Sequence, residues 1–257
     1  ACAYFTTQSD RFLTGPNLSL IIQQSMVVGV LAIGQTLIIL TAGIDLSCGA
    51  IMALSGIVMT RFAVYNGINP YVAILCGIAV AVGFGLLNGL LITRFDLPPF
   101  IVTLGTLNIA VALTYIYSQN QTVTNVPDVM TFFGRTFRLG QTSITYGTVL
   151  MFILYLVTAY VLRQTAAGRH IYALGNNPEA ARLSGINTRV LLIAVYAVAG
   201  LLYGIAALLL VGRMNVGDPN AGQDDNLASI TAVVLGGTSL FGGRGAIMGT
   251  LVGVLIV

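Results

Sequence analysis

The sequence has few charged residues and lacks tryptophan. Only 7% of its 257 residues are charged, whereas 56% are hydrophobic and the net charge is +3. With a mean hydropathy of +0.91, this composition excludes an ordinary soluble fold. The sequence therefore predicts an all-α polytopic membrane protein, and its charge gives no reason to expect a nucleic-acid partner.

Motifs for catalysis and metal binding are also missing. The chain has no GxxxxGK[ST] phosphate loop, so it is not expected to bind and hydrolyse ATP itself. It has no HExxH or GxSxG motif. Cys2, Cys48 and Cys76 lack metal-ligand spacing, and His170 lies in a polar loop away from the serines near membrane segments. The sequence predicts neither an enzyme nor a chain that binds a cofactor or metal.

Long apolar runs fill most of the chain. Several approach the ~20 residues that a helix needs to cross the hydrocarbon region. They cover residues 18–42, 71–93, 100–117, 147–162 and 190–211, with shorter runs at 50–64, 227–235 and 246–257. We therefore expect about eight spans or part-spans.

Two polar, glycine-rich interruptions point to a pathway through the membrane. They are GIDLSCG at 43–49 and GGTSLFGGRG at 236–245. An acid is costly in lipid, so Asp45 is expected to cap the following helix, with a proton or ion relay as the alternative. The second interruption follows a run too short to span, which indicates a re-entrant or discontinuous helix buried in protein or lining a cavity.

The longest polar stretch, residues 118–146, predicts a small structure outside the membrane. Tyr115 and Tyr117 precede it and are placed like interfacial aromatics. A second polar loop at 212–226 carries three acids. Both loops are expected to contribute to a docking surface.

Residues 163–189 form a polar stretch with a clear helix signal. Asn177 is suited to an N-cap, Pro178 to the first helical position and Glu179 to the first turn, while Gly185 supplies a stop. These features predict a helix over 178–184. Four arginines cluster here near two span ends, which favours a cytoplasmic location: Arg163, Arg169, Arg182 and Arg189.

Four ordered motifs resemble the permease subunit of bacterial ATP-binding cassette (ABC) importers for ribose, xylose and fructose. They are AGIDLSCGA, LPPFIVTLGT, GRHIYALGNNPEAARLSGIN and ITAVVLGGTSLFGGRGAIMGTLVG, within a likeness that extends over residues 12–257. Cys48 replaces the commoner apolar residue of the first motif. The resemblance implies about ten spans in a full subunit. We thus expect residues 1–257 to be a single transmembrane permease domain, truncated at both ends, in the bacterial inner (plasma) membrane.

The resemblance also implies partners and sites. The partners are a cytoplasmic ABC ATPase holding ATP and Mg, a periplasmic sugar-binding protein, a second permease subunit in a homo- or heterodimer, membrane lipid and a monosaccharide substrate. Residues 163–189 resemble the cytoplasmic coupling loop, whose positions at the ATPase groove are Asn177, Pro178, Glu179, Ala180, Arg182, Leu183 and Gly185.

Polar groups expected near the sugar pathway are Asp45, Ser47, Asn108, Thr238 and Ser239. An ion-coupled secondary transporter with discontinuous helices is the alternative function. It is less favoured because Asp45 is the single acid placed between apolar runs in the way that ion coupling requires.

Overall fold

The computed structural model describes residues 14–139 and 142–257. Cys2 lies outside the described residues. The long helices are α1 (Gly15–Leu40), α2 (Cys48–Val64), α3 (Pro70–Phe95), α4 (Pro99–Ser118), α6 (Tyr146–Gln164) and α9 (Thr188–Met214). The shorter helices are α5 (Asp128–Thr131), α7 (Ala166–Asn176), α8 (Pro178–Leu183), α10 (Asp225–Leu235) and α11 (Ile247–Val254).

Within the described ranges, five helices are long and apolar enough to cross a membrane: α1, α3, α4, α6 and α9. The predicted all-α polytopic fold is thereby confirmed. Helices extend beyond the apolar runs, because a regular backbone continues until a residue stops it. For example, α3 continues through Arg94 and ends where Asp96 adopts a φ of 48° before two prolines.

Helix α9 is the centre of the bundle and packs against α1, α2 and α3. Small residues allow α9 and α3 to approach closely: a Cβ at Gly85 would lie 2.3 Å from the carbonyl oxygen of Tyr196. The core also encloses tyrosines, with the Tyr155 hydroxyl donating to the Gly29 carbonyl at 3.1 Å. Close backbone contact and buried hydroxyls thus supplement apolar packing.

The predicted structure in residues 118–146 contains α5, a 3₁₀ turn (Phe132–Gly134) and a hairpin. Its strands are β1 (Thr136–Leu139) and β2 (Thr142–Thr145), paired antiparallel with Thr136 opposite Thr145. A bridge between Val123 and Gly217 joins this region to the loop after α9. The two outer loops therefore form one connected surface.

Candidate functional site

The first interruption returns the chain into the bundle. After α1 ends at Leu40, the Gln35 amide donates to the Asp45 carbonyl and, at 3.3 Å, to Cys48 Sγ. Gln35 lies ~7.5 Å inside the end of α1, given a rise of 1.5 Å per residue. Helix α2 therefore begins beside the last turns of α1, inside the end of that helix.

Asp45 is the centre of a buried polar cluster. Its Oδ1 accepts from the Ser47 backbone N–H at 2.7 Å and the Ser47 hydroxyl at 2.6 Å, and its Oδ2 accepts from the Tyr203 hydroxyl at 3.1 Å. The Ser47 oxygen also accepts from Asn88 Nδ2 at 3.1 Å. We call Gln35, Asp45, Ser47, Asn88 and Tyr203 the Asp45 hub; it connects α1, α3 and α9 to the start of α2.

The predicted cap by Asp45 is wrong. Ser47 occupies the N-cap position of α2 and makes no capping hydrogen bond through its side chain. Because Asp45 precedes the cap by two residues, its carboxylate reaches the N–H of Ser47 and not the free N–H groups of the first turn. The carboxylate therefore fixes the non-helical segment before α2. The alternative role of Asp45 in a proton or ion relay stays a prediction.

Helix α10, which precedes the second interruption, begins beside the first interruption. The Asn226 amide at the start of α10 donates to the Leu46 carbonyl at 3.2 Å. Cys48 Sγ and Ser229 Oγ are 3.8 Å apart, and a Cβ on Gly49 would lie 2.1 Å from the Gly222 carbonyl oxygen. The N-termini of α2 and α10 therefore meet inside the protein, so the positive ends of both helix dipoles face the same region.

The predicted pathway residues do not form one cluster. Asp45 and Ser47 lie together in the hub, whereas Asn108 is exposed on α4 and donates to its own helix at the Leu104 carbonyl. Thr238 and Ser239 follow α10, which is ~16 Å long at 1.5 Å per residue. The sequence therefore predicted two residues of the hub, but Gln35, Asn88 and Tyr203 gave no local signal.

Thr238 and Ser239 belong to a tight glycine-rich turn. Thr238 is buried, and its hydroxyl has no hydrogen-bond partner within the described ranges. Ser239 Oγ accepts from the Phe241 N–H at 3.2 Å. Gly243, with a φ of 68°, donates to the Leu40 carbonyl at 3.0 Å, which ties this turn to the end of α1.

The predicted polar stretch contains two helices, whereas the sequence predicted one. Thr165 is the N-cap of helix α7, and its hydroxyl accepts from the Gly168 N–H at 3.3 Å. The helix buries Ile171 and Leu174, a spacing typical of an amphipathic helix that could have identified it. The Tyr172 hydroxyl donates to the Gly245 carbonyl at 2.9 Å, so α7 rests on the glycine-rich turn.

Helix α8 forms where the sequence predicts a helix and ends one residue earlier. Asn177 Oδ1 accepts from the Ala180 N–H at 3.0 Å. Gly185, with a φ of 83°, ends the helix by donating to the Arg182 carbonyl at 3.0 Å. Asn177 therefore caps the start of α8 and Gly185 ends it, as the sequence predicts.

The outer face of α8 carries an ion pair and an apolar side chain. Arg182 Nη2 and Glu179 Oε1 lie 2.7 Å apart, and both side chains are exposed. A hydrogen bond from Arg182, together with its positive charge, lowers the pKa of Glu179, and Glu179 raises the pKa of Arg182 by the same two effects. Leu183 is 77% exposed, so α8 presents both charge and apolar area to its surroundings.

The chain is similar to known permease proteins along almost its whole length. A family profile described as "Branched-chain amino acid transport system / permease component" matches residues 17–257. The fructose import permease protein of Rhizobium meliloti is 47% identical over 99% of this chain and 72% of its own length. The ribose import permease proteins of Bacillus subtilis and Escherichia coli K12 are 40% and 39% identical, over 97% and 99% of this chain and 77% and 79% of theirs.

These matches extend over almost the whole described chain, including both interruptions and the α7–α8 segment. Together with five helices able to cross a membrane, they assign the chain to the inner membrane as a multi-pass protein. The chain therefore belongs to this family of transport-system permease components.

Proposed function

We propose that the chain is the translocation subunit of an ATP-driven monosaccharide importer. The observation that carries the proposal is the near full-length match to permeases named for fructose and ribose import. The family description names branched-chain amino acids, but the similar relatives named above are sugar permeases. A neutral sugar is also consistent with a described interior whose polar groups are mostly amides and hydroxyls.

Energy comes from a separate cytoplasmic ABC ATPase, since the chain has no phosphate loop of its own. Helix α8 is the coupling helix that docks in the ATPase groove. The positions assigned to this contact are Asn177, Pro178, Glu179, Ala180, Arg182, Leu183 and Gly185. The exposed ion pair and Leu183 support this assignment, because a docking helix needs side chains directed away from its own protein.

The neighbours of α8 offer a route for movement into the membrane. A Cβ at Gly175 of α7 would lie 1.8 Å from the Leu40 carbonyl oxygen, so α7 touches the end of α1 directly. The same glycine contacts Gly243 in the turn after α10. A displacement of α8 would therefore reach both chain segments that lead to the Asp45 hub.

Outside the membrane, the joined loops 118–146 and 212–226 are proposed to receive a sugar-loaded periplasmic binding protein. Their bridge between Val123 and Gly217 supports a shared surface. A second permease subunit completes the pathway, in which Asp45, Ser47, Asn108, Thr238 and Ser239 remain the proposed polar groups.

Uptake into proteoliposomes tests the function. Vesicles containing the full-length permease, its ATPase and its binding protein should accumulate labelled fructose or ribose when ATP is supplied on the side of the membrane that holds the ATPase. A protonophore should not abolish this accumulation. Vesicles lacking the ATPase provide the control. Concentration of sugar by the permease alone under an ion gradient would instead support a secondary transporter.

A further inference from the structure

A small cavity lies next to the meeting point of α2 and α10. Its volume is about 170 Å³, and it is enclosed by α2, α4 and the segment leading into α10. This is below the ~300–1,000 Å³ typical of sites for drug-sized ligands, so a single small ring suits it better. Asn226 lines the cavity and also donates to Leu46, which places the cavity beside the hub segment.

The cavity wall combines neutral polar groups with small apolar ones. Thr114, Tyr115, Gln223 and Asn226 supply hydroxyls and amides, and none of the eleven described lining residues is charged. An amino acid would bring an ammonium and a carboxylate into this enclosure without oppositely charged partners, which is strongly unfavourable. A polyol needs hydroxyl and amide partners, which the wall provides.

The Tyr115 hydroxyl bridges the edge of the cavity. It donates to Asn220 Oδ1 at 3.2 Å and accepts from Gln223 Nε2 at 3.1 Å. These bonds join α4 to the segment before α10. Since Tyr115 and Gln223 also line the cavity, a ligand inside could replace either partner with one of its own hydroxyls.

We propose that this cavity is a binding subsite for one neutral monosaccharide, with Tyr115 and Gln223 as its recognition residues. The inference rests on the proposed function and deepens it by assigning a sugar site within the permease chain itself. On binding, sugar hydroxyls take over the bonds that Tyr115 makes to Asn220 and Gln223.

Cysteine protection measures occupancy directly when the binding protein is left out, since that protein is proposed to dock on the loops that carry the labelled positions. Ala221→Cys, a lining position that is not a recognition residue, is placed in a Cys2→Ser background of the full-length permease assembled with its ATPase alone. Cys48 is fully buried, and Cys76 lies within α3. Labelling with a membrane-impermeant, negatively charged maleimide is followed with and without D-fructose or D-ribose. Thr122→Cys, an exposed outer-loop position away from the cavity lining, is the matched control.

We expect at least one of the two sugars to slow labelling of Ala221→Cys but not of Thr122→Cys, and leucine to slow neither. Adding Tyr115→Phe should raise the sugar concentration for half-maximal protection about fivefold, the equivalent of about 1 kcal/mol for one neutral hydrogen bond. Tyr117→Phe, on the same helix but outside the cavity lining, should leave that concentration unchanged.

The outcomes separate this inference from the proposed function. If the complete wild-type importer accumulates sugar with ATP but neither sugar protects Ala221→Cys, the subsite is refuted and the function stands. Protection by leucine would overturn the assignment of a neutral ligand. Absence of ATP-driven sugar accumulation by that importer would contradict the proposed function itself.

Discussion

At the scale of single residues, the Tyr203 hydroxyl is the contact that joins α9 to the Asp45 carboxyl. We expect Tyr203→Phe to lower the stability by about 1–3 kcal/mol, because Asp45 Oδ2 would lose this donor in a buried site. Tyr155→Phe is the control: its hydroxyl is also buried, but the Gly29 carbonyl that accepts from it lies within a helix. Thermal unfolding in detergent should show a larger drop for Tyr203→Phe, and equal drops would contradict the hub's role.

The ion pair on α8 makes a prediction about protonation. Glu179 has a lowered pKa, so its favourable contribution is present above the unfolded-state pKa and is lost as the pH falls through the folded-state value. The Glu179 carboxyl should therefore titrate at lower pH than in Arg182→Gln, as followed by its ¹³C chemical shift. Coincident titration curves would mean that the pair does not persist in solution.

At the scale of elements, Gly175 sets the contact between α7 and α1. Gly175→Ala places a Cβ against the Leu40 backbone, which cannot move aside as a side chain could. We expect the unfolding midpoint and ATP-driven uptake to fall, with an overpacking cost of about 1–3 kcal/mol. Gly83→Ala is the control, because a Cβ at this exposed helical glycine meets no atom within 4 Å. Similar behaviour of both variants would refute direct contact between α7 and α1.

The elements that the sequence predicts best are those with local signals. The long apolar runs predicted the five spans, and Asn177, Pro178 and Gly185 predicted α8 within one residue, because caps and turns depend on nearby residues. Helix α7 was missed because its short apolar stripe lies within a polar segment.

The hub could not be derived from sequence, since it depends on tertiary contacts. Asp45 finds its partner Tyr203 across the bundle, and Asn88 reaches Ser47 from a third helix. The packing of α1, α3 and α9 determines whether the Asp45 carboxylate caps α2 or binds these partners. The five predicted pathway residues lie in separate places for the same reason. The local sequence does not determine how deep in the bundle a side chain lies or in which direction it points.

At the scale of the whole molecule, the described chain connects an exposed helix on one side to two helix N-termini inside the bundle. Helix α7 rests on the end of α1 and on the turn after α10, and both lead to the Asp45 hub and the neighbouring cavity. In the proposed function, an ATPase acting at α8 would thereby alter access to a sugar held beside α2 and α10. Transport by the chain therefore depends on coupling between α8 and the ATPase.

The most direct test exchanges the charges of the α8 ion pair. Glu179→Arg combined with Arg182→Glu keeps an i, i+3 pair on the helix while reversing the charges shown to a partner. ATP hydrolysis and sugar uptake are measured in the same proteoliposomes of the assembled importer, with the wild-type importer and Gly83→Ala, whose added Cβ meets no atom within 4 Å, as the controls. We expect the α8 exchange to abolish sugar uptake and its link to ATP hydrolysis while membrane insertion is retained. Normal ATP-driven uptake by the α8 exchange variant would contradict it.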